Sequence, residues 1–157
     1  MWFQVKFTQL LHKAAITATE RSLLVFAPSG VKLNGQLYIS DNLEAEQPPW
    51  ARKQFACAPW TLQQDSAPSH GSKMTQRWIR SHIPALISKD ELPSRSQDLN
   101  ILDFSVWSIL ESKVCRTPHD SLDNLKLELI REWTLIPQDV MLASCEAFQG
   151  RLKSVVE

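Results

Sequence analysis

The chain has 157 residues, enough for one domain with a core of its own, and 43% of them are hydrophobic, which excludes a disordered polymer. Lysine plus arginine and aspartate plus glutamate number 17 each, so no overall positive field marks a nucleic-acid binder and any contact with DNA must come from a local patch. No apolar run approaches the roughly 20 residues of a membrane span, and Cys57, Cys115 and Cys145 form no close pair of the kind that holds zinc or frames a disulfide scaffold.

In chain order, Phe3, Val5 and Phe7 alternate with Gln4, Lys6 and Thr8, the period of a strand. No acid precedes Glu20, while Lys6, His12 and Lys13 are basic. A mitochondrial presequence shares that charge pattern, but the alternation favours the strand. The stretch AAITATERSLLVFAPSG predicts two strands around a polar turn at Thr19 to Ser22. NGQLYISDNLEAEQPPWARKQF predicts helix, with a break near Gln47 imposed by Pro48 and Pro49. Trp60, Leu62 and Gln64 alternate with Thr61, Gln63 and Asp65, which predicts a strand over 60–65 ending on an acid; Ser66, Ala67 and Pro68 then turn the chain. GSKMTQRWIRSHIP predicts a helix between Gly71 and Pro84, Ala85 to Ser88 a short strand, and KDELPSRSQDLN a loop.

The last third is helical by periodicity. Leu102, Val106, Ile109 and Leu110 share one side, Leu122, Leu125, Leu129 and Trp133 another, and Met141, Cys145, Phe148, Leu152 and Val155 a third. Leu122, Leu125, Leu129, Trp133, Phe148 and Leu152 are therefore expected to be buried, and Trp78, Trp107 and Trp133 to serve core packing rather than base stacking. Strands, then a strand–helix alternation, then helices predict an α/β fold with a mixed sheet.

Asp65 stands where a strand ends, a place where α/β sheets put chemistry. Asp98 and Asp103 bracket a turn leading into an apolar helix; a carboxylate in that first turn is favoured by the helix dipole. Singly, each of these acids also suits a loop or a helix cap. Lys73, Arg77 and Arg80 fall at i, i+4 and i+7 and share one helix face, either a stripe for DNA phosphates or a solvated surface.

Two segments change the weighing. WTLQQDSAPSHGSK resembles the second catalytic segment of the mariner-superfamily (Tc/mariner-type) cut-and-paste DNA transposases, a strand ending in QQD followed by an AP-x-H turn. PSRSQDLNILDFSVWSILESKV resembles the third, which leads through a proline-bracketed loop to the last acid and a tryptophan-bearing helix. Gln97 and Ile101 stand where the family usually has prolines. From about Ala14 to the end the chain is similar to the family's catalytic domain, which divides it into a divergent segment 1–13 and a partial domain 14–157.

The resemblance implies a ribonuclease-H-like α/β fold, a mixed sheet flanked by helices. It makes Asp65 and Asp103 the second and third catalytic and metal-binding acids, with 37 residues between them (66–102), as in the branch with two spaced aspartates. It places His70 in the turn that orients Asp65, and it implies Mg2+ or Mn2+. Phosphodiester cleavage and rejoining needs an activated oxygen and a stabilised leaving oxygen, which two divalent ions about 4 Å apart supply. Such ions take hard oxygen ligands from converging carboxylates.

The first acid of such a site belongs on a strand upstream of residues 14–28, yet MWFQVKFTQLLHK (1–13) has no Asp or Glu. Glu20 falls in a predicted turn and Asp41 in a predicted helix. Nor does any segment resemble the family's paired helix-turn-helix module. The expectation is a remnant with its first strand missing or replaced. Its ancestral work would be metal-dependent DNA cleavage and strand transfer in the nucleus, with metal binding weakened, DNA binding weak and non-specific, and catalysis lost. The alternatives are a non-enzymatic protein that binds DNA, itself or an intact transposase, and the inert product of an open reading frame.

Overall fold

Thr17 turns the chain back on itself: its Oγ1 accepts from the backbone N–H of Glu20 (2.9 Å) and of Thr19 (3.3 Å), a local side-chain bond that favours a turn over a strand. A computed structural model describes residues 11–26, 31, 33–45, 47–56, 58–64, 67–87, 91, 99–116 and 118–156. Around that turn, β1 (Leu11–Lys13) and β2 (Val25–Phe26) pair antiparallel with an irregular register, and a bridge between Ile16 and Arg21 continues the hairpin. The expected strand at Phe3 to Phe7 lies outside the described residues.

Asn34 caps α1 (Gly35–Leu37), its side chain accepting from the Leu37 N–H at 3.0 Å, and the helix continues as a π-helical segment, Tyr38–Glu44. The prolines open a separate helix, α2 (Gln47–Phe55), in whose first turn a missing N–H breaks no helical bond. β3 (Leu62–Gln63) pairs parallel with β4 (Leu86–Ile87), Leu62 opposite Leu86 and Gln63 opposite Ile87. The strand expected over 60–65 is thus shorter, and Gln64 already lies beyond its paired part. Between these strands runs α3 (Lys73–His82), capped by Ser72 and ended before Pro84. The chain then enters a second π-helical segment, Leu102–Val106, that leads into α4 (Trp107–Val114), followed by α5 (Leu122–Leu135) and α6 (Gln138–Val156).

The hairpin separates two cores, because successive strand residues point to opposite faces. Ala14 and Ile16 join Leu102, Val106, Trp107, Leu110, Leu129 and Trp133 on one side. Ala15, between them, joins Tyr38, Ile39, Leu43, Leu62, Ile79 and Ile83 on the other. Among the described residues the strands form two separate two-stranded sheets, β1–β2 antiparallel and β3–β4 parallel, and with the helices packed around them they make the α/β class expected. Arg21 locks the hairpin to the end of α5: its guanidinium donates to the carbonyls of Trp133 (2.5 Å) and Ile136 (2.6 Å), where a helix carries unsatisfied acceptors, while Trp133 Nε1 donates to the Ser22 carbonyl (2.8 Å).

Two packing expectations need correction. Leu122 is 51% exposed, because it opens α5 one turn before Leu125, the first residue of its stripe to reach the core. Leu125, Phe148 and Leu152 are half-buried rather than enclosed, while Leu129 and Trp133 are buried. Trp78 sits at the rim of the second core, its Nε1 donating to Glu44 Oε1 (3.0 Å) and its ring stacked on His82 at 4.1 Å. Trp107 and Trp133 stack at 5.9 Å inside the first. Burial pushes the Cys145 thiol on α6 up from its ordinary value, and Glu146 adds to the rise. Among the described residues no helix is long and apolar enough to cross a membrane.

Candidate active site

The end of β3 is unusual in what it buries. Gln63 and Gln64, each 4% exposed, send primary amides into the interior on opposite faces of the strand. On one face, Gln63 Nε2 donates to the Leu99 carbonyl at 2.5 Å. On the other, Gln64 Nε2 donates to the Tyr38 hydroxyl at 2.5 Å. The first of these bonds spans 36 residues and ties the strand that precedes Asp65 to the segment that precedes Asp103. The two motifs singled out in the sequence are therefore neighbours in space.

Asp103 itself lies, half-buried, in the first turn of the π-helical segment. Its N–H donates to the Asn100 carbonyl (3.0 Å), which also accepts from Phe104 N–H (3.1 Å). A π-type turn shifts side chains from their α-helical directions and recurs at functional sites. Phe104 is held from α6 by the Arg151 guanidinium, 3.9 Å above its ring. Asp65 and Asp98 lie outside the described residues.

The chain on the far side of Asp65 is pinned. The Ala67 carbonyl accepts from the N–H groups of His70 (2.9 Å) and Gly71 (3.0 Å), which makes the AP-x-H turn. Thr75 Oγ1 donates to the Ser69 carbonyl (2.7 Å), and Gln76 Nε2 to that of His70 (2.9 Å), so the turn is tied to the start of α3. His70 is 6% exposed, its ring centroid 4.3 Å from that of Tyr38. Lys73, Arg77 and Arg80 are all exposed on α3, and among the described residues none of them enters a salt bridge.

Three buried carboxamide oxygens near these motifs, Gln63 Oε1, Gln64 Oε1 and Asn100 Oδ1, make no hydrogen bond among the described residues. An orphaned buried acceptor costs on the order of 1–3 kcal/mol. The Asp103 carboxylate offers hard oxygen, the donor type of Mg2+ or Mn2+ rather than the thiolate and imidazole of zinc. Among the described residues no group of three or more His, Cys, Asp or Glu could hold a metal ion. The Asp103 carboxylate fits such an ion in kind, and Asp65 is the second carboxylate that the sequence offers. Sequence reasoning placed Gln63 and Gln64 in a strand and Tyr38 in a helix without giving them a role. The sequence shows two adjacent amides in a strand pattern and a single tyrosine, but nothing in it links Gln64 to Tyr38.

The order of elements, a hairpin, a parallel β–α–β unit and a helical final third around two cores, defines a ribonuclease-H-like α/β domain. The particular likeness is to the catalytic domain of Mos1 mariner transposase, whose crystal structure matches 98% of this chain and 76% of its own, with a TM-score of 0.75 at 14% identity. The same domain with raltegravir and Mg matches at a TM-score of 0.73 and 12% identity, over 98% of this chain and 77% of that one. With raltegravir and Mn the values are 0.71 and 14%, over 98% and 76%. At that identity the likeness is one of fold. No protein-family model matches the sequence, and neither does any curated protein.

Proposed function

We propose that residues 14–157 are a mariner-type transposase catalytic domain in descent, with Asp65 and Asp103 as its two remaining metal-binding and catalytic acids, and that this chain cuts no DNA. The observation that carries the reading is the Gln63–Leu99 bond, which sets the two acid-bearing segments side by side within a fold shared with Mos1. Mg2+ or Mn2+, when bound, supplies charge stabilisation at the attacking and leaving oxygens of a phosphodiester. Asp65 and Asp103 hold the ion. His70, packed beneath its turn, orients the loop that carries Asp65. Lys73, Arg77 and Arg80 offer DNA phosphates a sequence-independent attraction that salt weakens. Partners are thus DNA, bound weakly, and a second copy or an intact transposase; the nucleus is the compartment.

The loss of cutting follows from the acids this chain has before Asp65: Glu20, Asp41, Glu44 and Glu46. Glu20 lies exposed beside the hairpin turn, and Asp41 and Glu44 lie exposed on the π-helical segment. None of Glu20, Asp41 and Glu44 stands at the end of a described strand to complete a site for two mutually repelling ions; Glu46 lies outside the described residues. Incubation of the purified chain with supercoiled plasmid and Mg2+ or Mn2+ should leave the plasmid intact. Metal-dependent nicking that disappears in both Asp65→Ala and Asp103→Ala would overturn the proposed inactivity and uphold the site.

A further inference from the structure

We propose that Tyr38 is a positioning residue that ties together the two segments flanking Asp65, the end of β3 and the AP-x-H turn. This rests on the reading of Asp65 as a metal-binding acid. Tyr38 is 1% exposed and touches the chain on either side of that acid: its hydroxyl accepts from Gln64, the residue just before Asp65, and its ring packs on His70, five residues after it. One side chain so bridges the strand end and the returning turn. If the position needed only filling, phenylalanine would fill it without a hydroxyl to desolvate. A buried polar pair instead fixes one relative geometry, which an apolar contact leaves free to slide.

The element that carries Tyr38 is seated on the same part of the fold. A Cβ added at Gly35 would stand 2.4 Å from Ser72 Oγ, the cap of α3, so the backbone at position 35 lies directly against that cap. The bonds from Thr75 and Gln76 tie the AP-x-H turn to the same helix. Tyr38 is thereby referenced to the α3 start, and the flanks of Asp65 are referenced to Tyr38. Metal-binding carboxylates need such support, since outer partners commonly change metal affinity by about 10–100-fold.

The test is an electron-paramagnetic-resonance titration of free Mn2+ against the full chain, with thermal midpoints recorded beside it. Asp65→Ala and Asp103→Ala define the site. Tyr38→Phe deletes only the hydroxyl and should weaken Mn2+ binding about tenfold. Gln64→Leu should also weaken it, and the double variant by less than the two losses combined, because the two side chains share a bond. If either single variant does not fold, the other carries the readout. Trp133→Phe, which loses a hydrogen bond in the opposite core, should lower the thermal midpoint and leave Mn2+ affinity unchanged. Binding that is absent from the unmodified chain, or that survives both aspartate substitutions, overturns the metal site and the clamp with it. Site-specific binding that Tyr38→Phe and Gln64→Leu leave unchanged overturns the clamp alone. So does an equal loss of affinity in Trp133→Phe.

Discussion

The two cores on either side of the hairpin are built from different materials. The core under α4, α5 and α6 is apolar, with Trp107 stacked on Trp133 and leucines, isoleucines and valines around them. The core under α1 and α3 has a similar apolar floor, but its edge at the end of β3 buries Gln64, His70, Thr75 and the hydroxyl of Tyr38. Apolar packing is indifferent to small slides, whereas each buried polar group demands a partner at a set distance and angle. The first core should therefore contribute more of the stability, and the second should hold the Gln64–Tyr38–His70 contacts in one geometry.

The largest effect should come from the apolar side. Trp133→Ala removes a ring that is 2% exposed, its stack on Trp107 and its bond to Ser22, and should cost about 3–5 kcal/mol in chemical denaturation. A change under about 1 kcal/mol would mean that this core is not the stabilising one. On the other side, Gly35→Ala forces a methyl against Ser72 Oγ and should cost about 1–3 kcal/mol through overpacking and a disturbed α3 cap. An unchanged midpoint would show that α1 does not sit tightly on α3. Leu122→Ala should fall within about 0.5 kcal/mol of zero, since the side chain is half exposed at the helix start. A loss of 2 kcal/mol there would restore the continuous stripe that its spacing predicts.

The helices were legible in the sequence because their signals are local. Leu129 and Trp133 are buried as their four-residue spacing predicts, and Pro84 marks the end of α3. The polar turn of the hairpin was legible for the same reason. Leu122 was misplaced because periodicity gives the face of a residue but not how far along the helix the neighbouring wall extends. The buried network was not legible at all as a network. Gln63 finds its partner 36 residues away and Gln64 finds its own 26 away, and nothing in either amide names the other end. The π-helical segments were equally hidden, since an apolar stripe reads much the same whether one turn of it is widened or not. Of the candidate site, the sequence carried the two acid-bearing motifs; the bond that sets them side by side depends on the fold.

The account turns on Asp65 and Asp103 sharing one ion at the end of β3, and paramagnetic broadening locates an ion without requiring activity. With substoichiometric Mn2+ added to the 15N-labelled chain, backbone amide signals of residues 62–70 and 99–104 should broaden together, ahead of the rest. In Asp65→Ala and in Asp103→Ala that joint broadening should vanish. Broadening confined to one of the two segments, centred elsewhere, or persisting in either variant would contradict a shared site.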